Sequence, residues 1–229
     1  MRHDDPIVLV LFDIDGTLLH GRPEAHTDAL TRAMSQTWEV EVAPDDVWAI
    51  NPAGRTDREI ARTILRGHGV GDEVITARLA DWVALAVVLH DELKADHPAP
   101  VAAPDADAVT RDLLDAGAEI ALVTGNLREI AHAKVAMAGL GGRFGAGGGY
   151  GCDADERVEL VRRAQARAAR AHAWDEVIVV GDTPRDIAAA HGAGARIVAV
   201  TTGTYDAASL RDADAVAGSL TGALRAILD

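Results

Sequence analysis

The sequence predicts an α/β protein: a doubly wound parallel sheet with an inserted all-helical segment. Three observations carry that expectation. Four short apolar runs rich in β-branched residues recur along the chain, the pattern of strands buried on both faces of a parallel sheet. Helical patterns fall between the last three, as βαβ units require. Between the first run and the second lie about a hundred residues, mostly helical in pattern, far more than connections within such a sheet usually hold.

Taken in order, the first strand is "IVLVLF" at 7–12, which runs straight into Asp13 and Asp15. Residues 20–96 follow as an inserted cap. Within it "TDREIARTIL" opens with a capping box, Thr56 to Glu59, and spaces Ile60, Ile64 and Leu65 on one buried face. A second cap helix is expected over 77–95. Trp38, Trp48 and Trp82 read as packing residues of the cap, and Trp174 as one of the core. "HPAPVAAP" at 97–104 is the return linker, because its three prolines are incompatible with helix continuation. The second strand is 119–123, with a helix over 127–138. The Gly-rich segment 139–151 hides a short strand near 144–150 and contains no GxGxxG, so no dinucleotide fingerprint is present. A helix over 156–172, a strand at 177–180, a helix over 184–191 and a strand at 195–200 complete the pattern. The expected division is therefore an α/β core of 1–19 and 97–229 around a helical cap of 20–96.

Composition narrows the function. The chain has 229 residues, 48% hydrophobic, enough for one domain with a large insertion and a sizeable core. A formal charge of -14 argues against binding nucleic acid or an acidic membrane surface, where Lys and Arg would have to dominate. An anionic substrate would need local help, from a metal or a focused cation. Cys152 is the sole cysteine, so no intramolecular disulfide can form and a reducing compartment is expected. The start of the chain does not read as a signal peptide. The longest apolar stretch, 82–89, is far below the roughly 18 residues of a membrane span, and a soluble cytoplasmic protein is expected. The nine histidines are scattered without HExxH or paired spacing, which disfavours zinc.

Polar residues cluster where the strands end: Asp13 and Asp15 after the first, Thr124, Gly125 and Asn126 after the second, Gly181 and Asp182 after the third. In an open parallel sheet these carboxyl ends share one edge, the edge where ligands bind. Asp13 and Asp182 brought together would repel unless a cation lay between them, and few, hard oxygen ligands favour Mg²⁺. One Asp oxygen is then placed to attack phosphorus through an acyl-phosphate. Asp15, displaced by the turn at Gly16, is placed to protonate the leaving oxygen and later deprotonate water. The Thr124 hydroxyl and adjacent N–H groups are candidate donors to phosphoryl oxygens.

"DIDGT", "VTGN" and "GDTPRD", in that order and with a helical insertion after the first, resemble motifs one, two and four of the haloacid dehalogenase superfamily. The resemblance spans essentially the whole chain and looks like the helically capped, phosphoglycolate phosphatase-like type. It implies that Asp13 is the nucleophile, Asp15 the general acid and base as well as a carbonyl donor to Mg²⁺, Thr124 a phosphate ligand beside Gly125 and Asn126, and Asp182 a metal ligand. Asp186 would hold a metal-bound water. The third motif departs from the family pattern, a Lys before a Pro. Neither lysine suits that position: Lys134 lies mid-helix after the second motif and Lys94 in the cap. The position falls to Arg157 in "CDADERVEL", at the start of a helix that Asp153 and Glu156 are placed to cap. A cation there opposes the helix dipole, so local stability does not explain it.

In capped members a loop like "NPAGRTDRE" faces the reaction centre, which makes Asn51 and Arg55 candidate substrate-binding residues, Arg55 for a carboxylate or second phosphate. His20 and Arg22 fall in the flap just past the first motif. The implied activity is Mg²⁺-dependent hydrolysis of a small phosphorylated metabolite. A sugar phosphomutase of the same superfamily is the alternative, although Thr17 after "DG" leans toward phosphatase. A phospho-accepting or non-catalytic binding module is the alternative from another class. A dehalogenase is disfavoured by the second acid, Asp15, and a phosphonate hydrolase by the position of Lys94 at the cap's end.

Overall fold

The computed structural model describes residues 8–145, 147–168 and 174–229. The strands are β1 (Val8–Phe12), β2 (Leu19–His20), β3 (Val101–Ala102), β4 (Glu119–Thr124), β5 (Gly148–Tyr150), β6 (Glu176–Gly181), β7 (Arg196–Val200) and β8 (Ala215–Ala217). Six of them form one sheet in the order β5-β4-β1-β6-β7-β8, every pair parallel. The chain leaves β1 for β4 and β5 on one side, then returns to β6, β7 and β8 on the other. This reversal at β1 is the topological switch point, so ligands are expected at its carboxyl end.

Alternation along β1 explains how two layers of helices cover the sheet. Val10 and Phe12 face a cluster containing Val109 and Leu113 of α5 (Ala106–Asp115), Ala131 and Val135 of α6 (Arg128–Met137), and Leu220 and Ile227 of α9 (Leu220–Leu228). Leu9 and Leu11 face the other, with Leu160, Val161 and Ala164 of α7 (Arg157–Ala168) and Ile187, Ala189 and Ala190 of α8 (Pro184–Gly192). A core with both faces covered is why the strands read as unbroken apolar runs.

The insertion holds α1 (Glu24–Trp38), α2 (Pro44–Ala49), α3 (Asp57–Gly67) and α4 (Asp72–Leu93). Ile60, Ile64 and Leu65 are buried with Met34, Trp38, Val47, Ile75 and Trp82, and this cluster continues onto Leu127 and Ile130 at the start of α6. The two chain crossings are zipped together: β2 pairs antiparallel with β3, Leu19 against Ala102 and His20 against Val101. The expected return linker thus contains a strand. No helix among the described residues is long and apolar enough to cross a membrane.

Several local expectations change. The second cap helix starts at Asp72 rather than 77, with Gly71 as its extended N-cap. The expected strand near 144–150 shortens to Gly148–Tyr150. The helix expected over 156–172 is observed as Arg157–Ala168, and 169–173 lie outside the described residues. Asp153 does not cap α7. Its carboxylate accepts from the Tyr150 N–H at 3.0 Å and pairs with Arg167 at 2.7 Å, a stronger charge-assisted partner than an N-terminal amide. Only half of the capping box of α3 forms. The Thr56 hydroxyl accepts from the Glu59 N–H at 3.1 Å, while the Glu59 carboxylate turns to Arg55.

Candidate active site

Three carboxylates converge at the carboxyl end of the sheet. Asp13 follows β1, Asp182 follows β6 and Asp186 lies in the first turn of α8, all at most 5% exposed. One oxygen of each lies within 4.8 Å of the others. Two local devices hold them there. The Thr183 hydroxyl and N–H donate to Asp186 Oδ2 at 2.7 and 3.0 Å in a capping box, with Pro184 opening α8. Gly16, at φ +85°, lets the turn after β1 pass so close to Asp182 that a Cβ there would lie 2.3 Å from its Oδ2.

Arg157, the first residue of α7, reaches into this cluster. Its Nη2 lies 2.7 Å from Asp13 Oδ1 and 2.5 Å from Asp186 Oδ1, in a position only 8% exposed. The cation expected in place of the usual lysine is therefore on the nucleophile candidate. Lying beside Asp186 and Asp13 raises the guanidinium's pKa despite its burial. One guanidinium cannot neutralise three buried carboxylates. Burial, and then the charges of Asp186 and Asp15 against the pull of Arg157, push Asp13 up to about 6. Burial, followed by the charges of Asp13 and Asp186, pushes Asp182 up to about 8. The residual charge of three acids and one base is that of a divalent cation's complement, and an all-oxygen donor set suits a hard ion. The residues present fit a metal of that class.

A pH signature follows. In chelator the folded state holds protons on Asp13 and Asp182 that the unfolded chain has lost, so stability should fall as pH rises from about 4 toward about 8. A divalent metal replaces those protons, and its stabilisation should grow over the same window. Thermal melting with and without Mg²⁺ should show a larger metal-induced shift at pH 8 than at pH 5; the opposite order would remove the cluster as the metal site.

The Asp15 side chain is not brought into the cluster, so of this residue only the backbone carbonyl is left for a metal. Its carboxylate accepts from Asn126 Nδ2 at 2.9 Å and from Lys134 Nζ at 2.6 and 2.5 Å. Lys134, 2% exposed, also donates to Asn126 Oδ1 at 2.7 Å. Burial works to raise Asp15, but Lys134, with His26 and Asn126 adding to its pull, holds the carboxyl below its usual range. Lys134 is the site residue that sequence reasoning passed over. A signal existed: with Ile130, Ala131 and Val135 it lies on the buried stripe of α6, where a lysine has no place without a partner. Thr202 and Gly203, just past β7, were also missed. The Thr202 hydroxyl donates to the Gly16 carbonyl at 2.6 Å, and Gly203 abuts Asp182.

Thr124 is fully buried at the end of β4, its hydroxyl oxygen accepting from the Asn126 N–H at 3.3 Å. Gly125 is where the cap meets the core. Its carbonyl accepts from the Asp57 N–H at 2.8 Å, and a Cβ at Gly125 would lie 2.0 Å from the Arg55 carbonyl oxygen. The Asp57 carboxylate accepts from the Leu127 N–H at 2.7 Å and contacts His26 Nε2 at 2.9 Å. Arg157 Nη1 donates to the Gly54 carbonyl at 3.3 Å. The cap loop thus covers the site with its backbone. Of its side chains, Asn51 is exposed, and Arg55 is tied to the Glu59 carboxylate and the Asn51 carbonyl. Glu59, in the first turn of α3, satisfies Arg55 from just four residues along the chain. His20 lies at the flap, its Nε2 buried without a hydrogen-bond partner among the described residues.

Residues 7–194 match the family model of haloacid dehalogenase-like hydrolases. Solved structures agree on the fold. A predicted phosphatase from Clostridium acetobutylicum is 19% identical, with a TM-score of 0.67 over 98% of this chain and 99% of that one. A hydrolase from Pseudomonas syringae is 20% identical, with a TM-score of 0.66 over 97% and 98%. CbbY from Rhodobacter sphaeroides, in complex with phosphate, is 18% identical, with a TM-score of 0.66 over 94% and 95%. Comparison with curated proteins gives no match. With an acid cluster at the sheet's switch point and a family match over most of its length, this chain belongs to the haloacid dehalogenase-like hydrolases.

Proposed function

We propose that the protein is a Mg²⁺-dependent phosphatase that hydrolyses a small phosphorylated metabolite through an aspartyl-phosphate on Asp13. The observation that carries this reading is the separation of two acids two residues apart. Asp13 lies in a charge-compensated cluster with Arg157, while Asp15 is turned away onto Lys134 and Asn126. In this reading Asp13 is the nucleophile and Asp15 the proton carrier.

Asp13 oxygen attacks phosphorus as the bond from phosphorus to the leaving oxygen breaks, and Asp15, which must first take up a proton against the pull of Lys134, delivers it to that oxygen. Asp15 then takes a proton from water, whose oxygen attacks phosphorus and releases phosphate from Asp13. Arg157 faces the developing phosphoryl charge. The Thr124 hydroxyl, whose oxygen accepts from the backbone, keeps its own proton for a phosphoryl oxygen, and the Gly125 N–H lies next to it. Asn126 holds Lys134 and Asp15 in register. Asp13, Asp182 and the Asp15 carbonyl would hold Mg²⁺, with Asp186 behind them; the ion supplies neutralisation of the carboxylates and the phosphate dianion. The cap loop packs its backbone onto Gly125, next to Thr124.

Phosphate release from an aryl phosphate, measured with Mg²⁺ and again in excess chelator, tests the reading. Release that depends on the metal is expected. Undiminished turnover in chelator would sink the metal role, and transfer of the phosphoryl group to a sugar hydroxyl rather than water would favour the mutase.

A further inference from the structure

The loop after β7 frames the carboxylate cluster, yet it has no part in the chemistry described above. Asp182 is 3% exposed, and its carboxylate lies between two glycines, Gly16 in the turn after β1 and Gly203 in the loop after β7. A Cβ on either would overlap Asp182 Oδ2. The strands that lead to these glycines are not neighbours, because β6, which leads to Asp182, runs between β1 and β7. One bond closes the slot. The Thr202 hydroxyl donates to the Gly16 carbonyl at 2.6 Å, across 186 residues of chain. The Thr17 hydroxyl, on the Gly16 side, faces Asp182 Oδ1 at 3.4 Å. The turn is also fixed ahead of Gly16, whose N–H donates to the Leu19 carbonyl at 2.9 Å. That bond sets the plane of the Asp15–Gly16 peptide, and the Asp15 carbonyl points the opposite way across the same planar unit. At φ +85° Gly16 has backbone freedom that a side chain would otherwise limit, and bonds on both its N–H and its carbonyl limit it instead. The loop after β7 is itself anchored. The Thr201 N–H donates to the Ala217 carbonyl of β8 at 3.0 Å, and Tyr205 packs against the cluster that holds Ile187 and Leu210.

We propose that Thr202 and Gly203 are positioning residues of the metal centre, a clamp that holds the Asp182 carboxylate and the Asp15 carbonyl in fixed relation to one another. The inference rests on the reading in which those two groups, with Asp13, hold Mg²⁺. Ligands already set in place lose less freedom on binding, so a preset pair gives higher affinity than the same pair on a loose turn. Groups that orient metal ligands without being ligands themselves act in this way. Gly203 contributes by having no side chain, which leaves room for the Asp182 carboxylate, and Thr202 by one directional bond.

Calorimetric titration of Mg²⁺ into the metal-free protein tests the clamp without turnover. Thr202→Val keeps the shape and loses the donor, and should weaken Mg²⁺ binding about tenfold or more, as loss of a ligand-orienting partner does. Thr202→Ser keeps the donor and should bind as the wild type does. Gly203→Ala must push the Asp182 carboxylate from its place and should weaken binding at least as much as Thr202→Val. Phosphate release separates positioning from chemistry. In Thr202→Val the Mg²⁺ concentration giving half the maximal rate should rise by the same factor as the dissociation constant, while the rate at saturating Mg²⁺ stays near that of the wild type. A merely structural role would instead lower the melting temperature in chelator and leave the Mg²⁺ affinity of the folded protein unmoved. Unchanged affinity in folded Thr202→Val, or in Gly203→Ala where the first variant does not fold, would overturn the clamp and leave the metal reading standing. No Mg²⁺ binding by the wild type would overturn the metal reading and the clamp with it.

Discussion

Asp13→Asn is expected to lower phosphate release by on the order of 10⁴-fold or more while the chain stays folded, as loss of a covalent nucleophile does. An amide oxygen is a poor nucleophile toward phosphorus, and no other carboxylate takes over. Asp182 lies beside the turn at Gly16, and Asp186 is held by the Thr183 cap and Arg157. The fold should tolerate the change for an electrostatic reason. Asp13 is 5% exposed among like charges, so its neutral isostere removes repulsion and leaves the backbone bond from its N–H to the Val180 carbonyl intact. In chelator the variant should melt at or above the wild-type temperature. Retention of a tenth of the rate would remove Asp13 from the attacking role, and a large fall in melting temperature would contradict the account of the cluster.

Arg157→Ala should affect both activity and stability. Loss of one charge-assisted contact to a developing anion typically costs on the order of 10²-fold in rate. Removing the cation that bridges Asp13 and Asp186 also strands buried carboxylates, a loss of about 3–5 kcal/mol in comparable buried pairs. Added Mg²⁺ should restore part of the stability and little of the rate. Arg157→Lys should recover part of both, because a lysine supplies the charge but not the planar fork that spans two acids. Turnover of an aryl phosphate and urea unfolding with and without Mg²⁺ measure the two effects. Full activity in Arg157→Ala would move the cationic role elsewhere. Arg143 is committed to Asp107 and Thr110, and Arg162 to Glu159 and the Gly192 carbonyl, so Lys134 would be the next residue to test.

Local patterning suffices for the sheet, its helical insertion and the polar clusters that end β1, β4 and β6. Those features are legible because each rests on local patterning, and because parallel topology brings all carboxyl ends of the strands to one edge whatever the loops do. Short strands escaped because two or three residues, as in β3 and β8, carry too little pattern to read. Which partner each long charged side chain takes, Arg157 included, depends on how the elements pack. The spacing of α6 shows that Lys134 faces inward, but only the packing of α6 beside β1 puts it on Asp15. The loop "NPAGRTDRE" was read as aiming Arg55 at the reaction centre, yet its backbone reaches Gly125 while its guanidinium returns to Glu59. Periodicity specifies a face. The neighbour across that face depends on the distance and angle between elements, and for a flexible charged side chain several neighbours compete within reach.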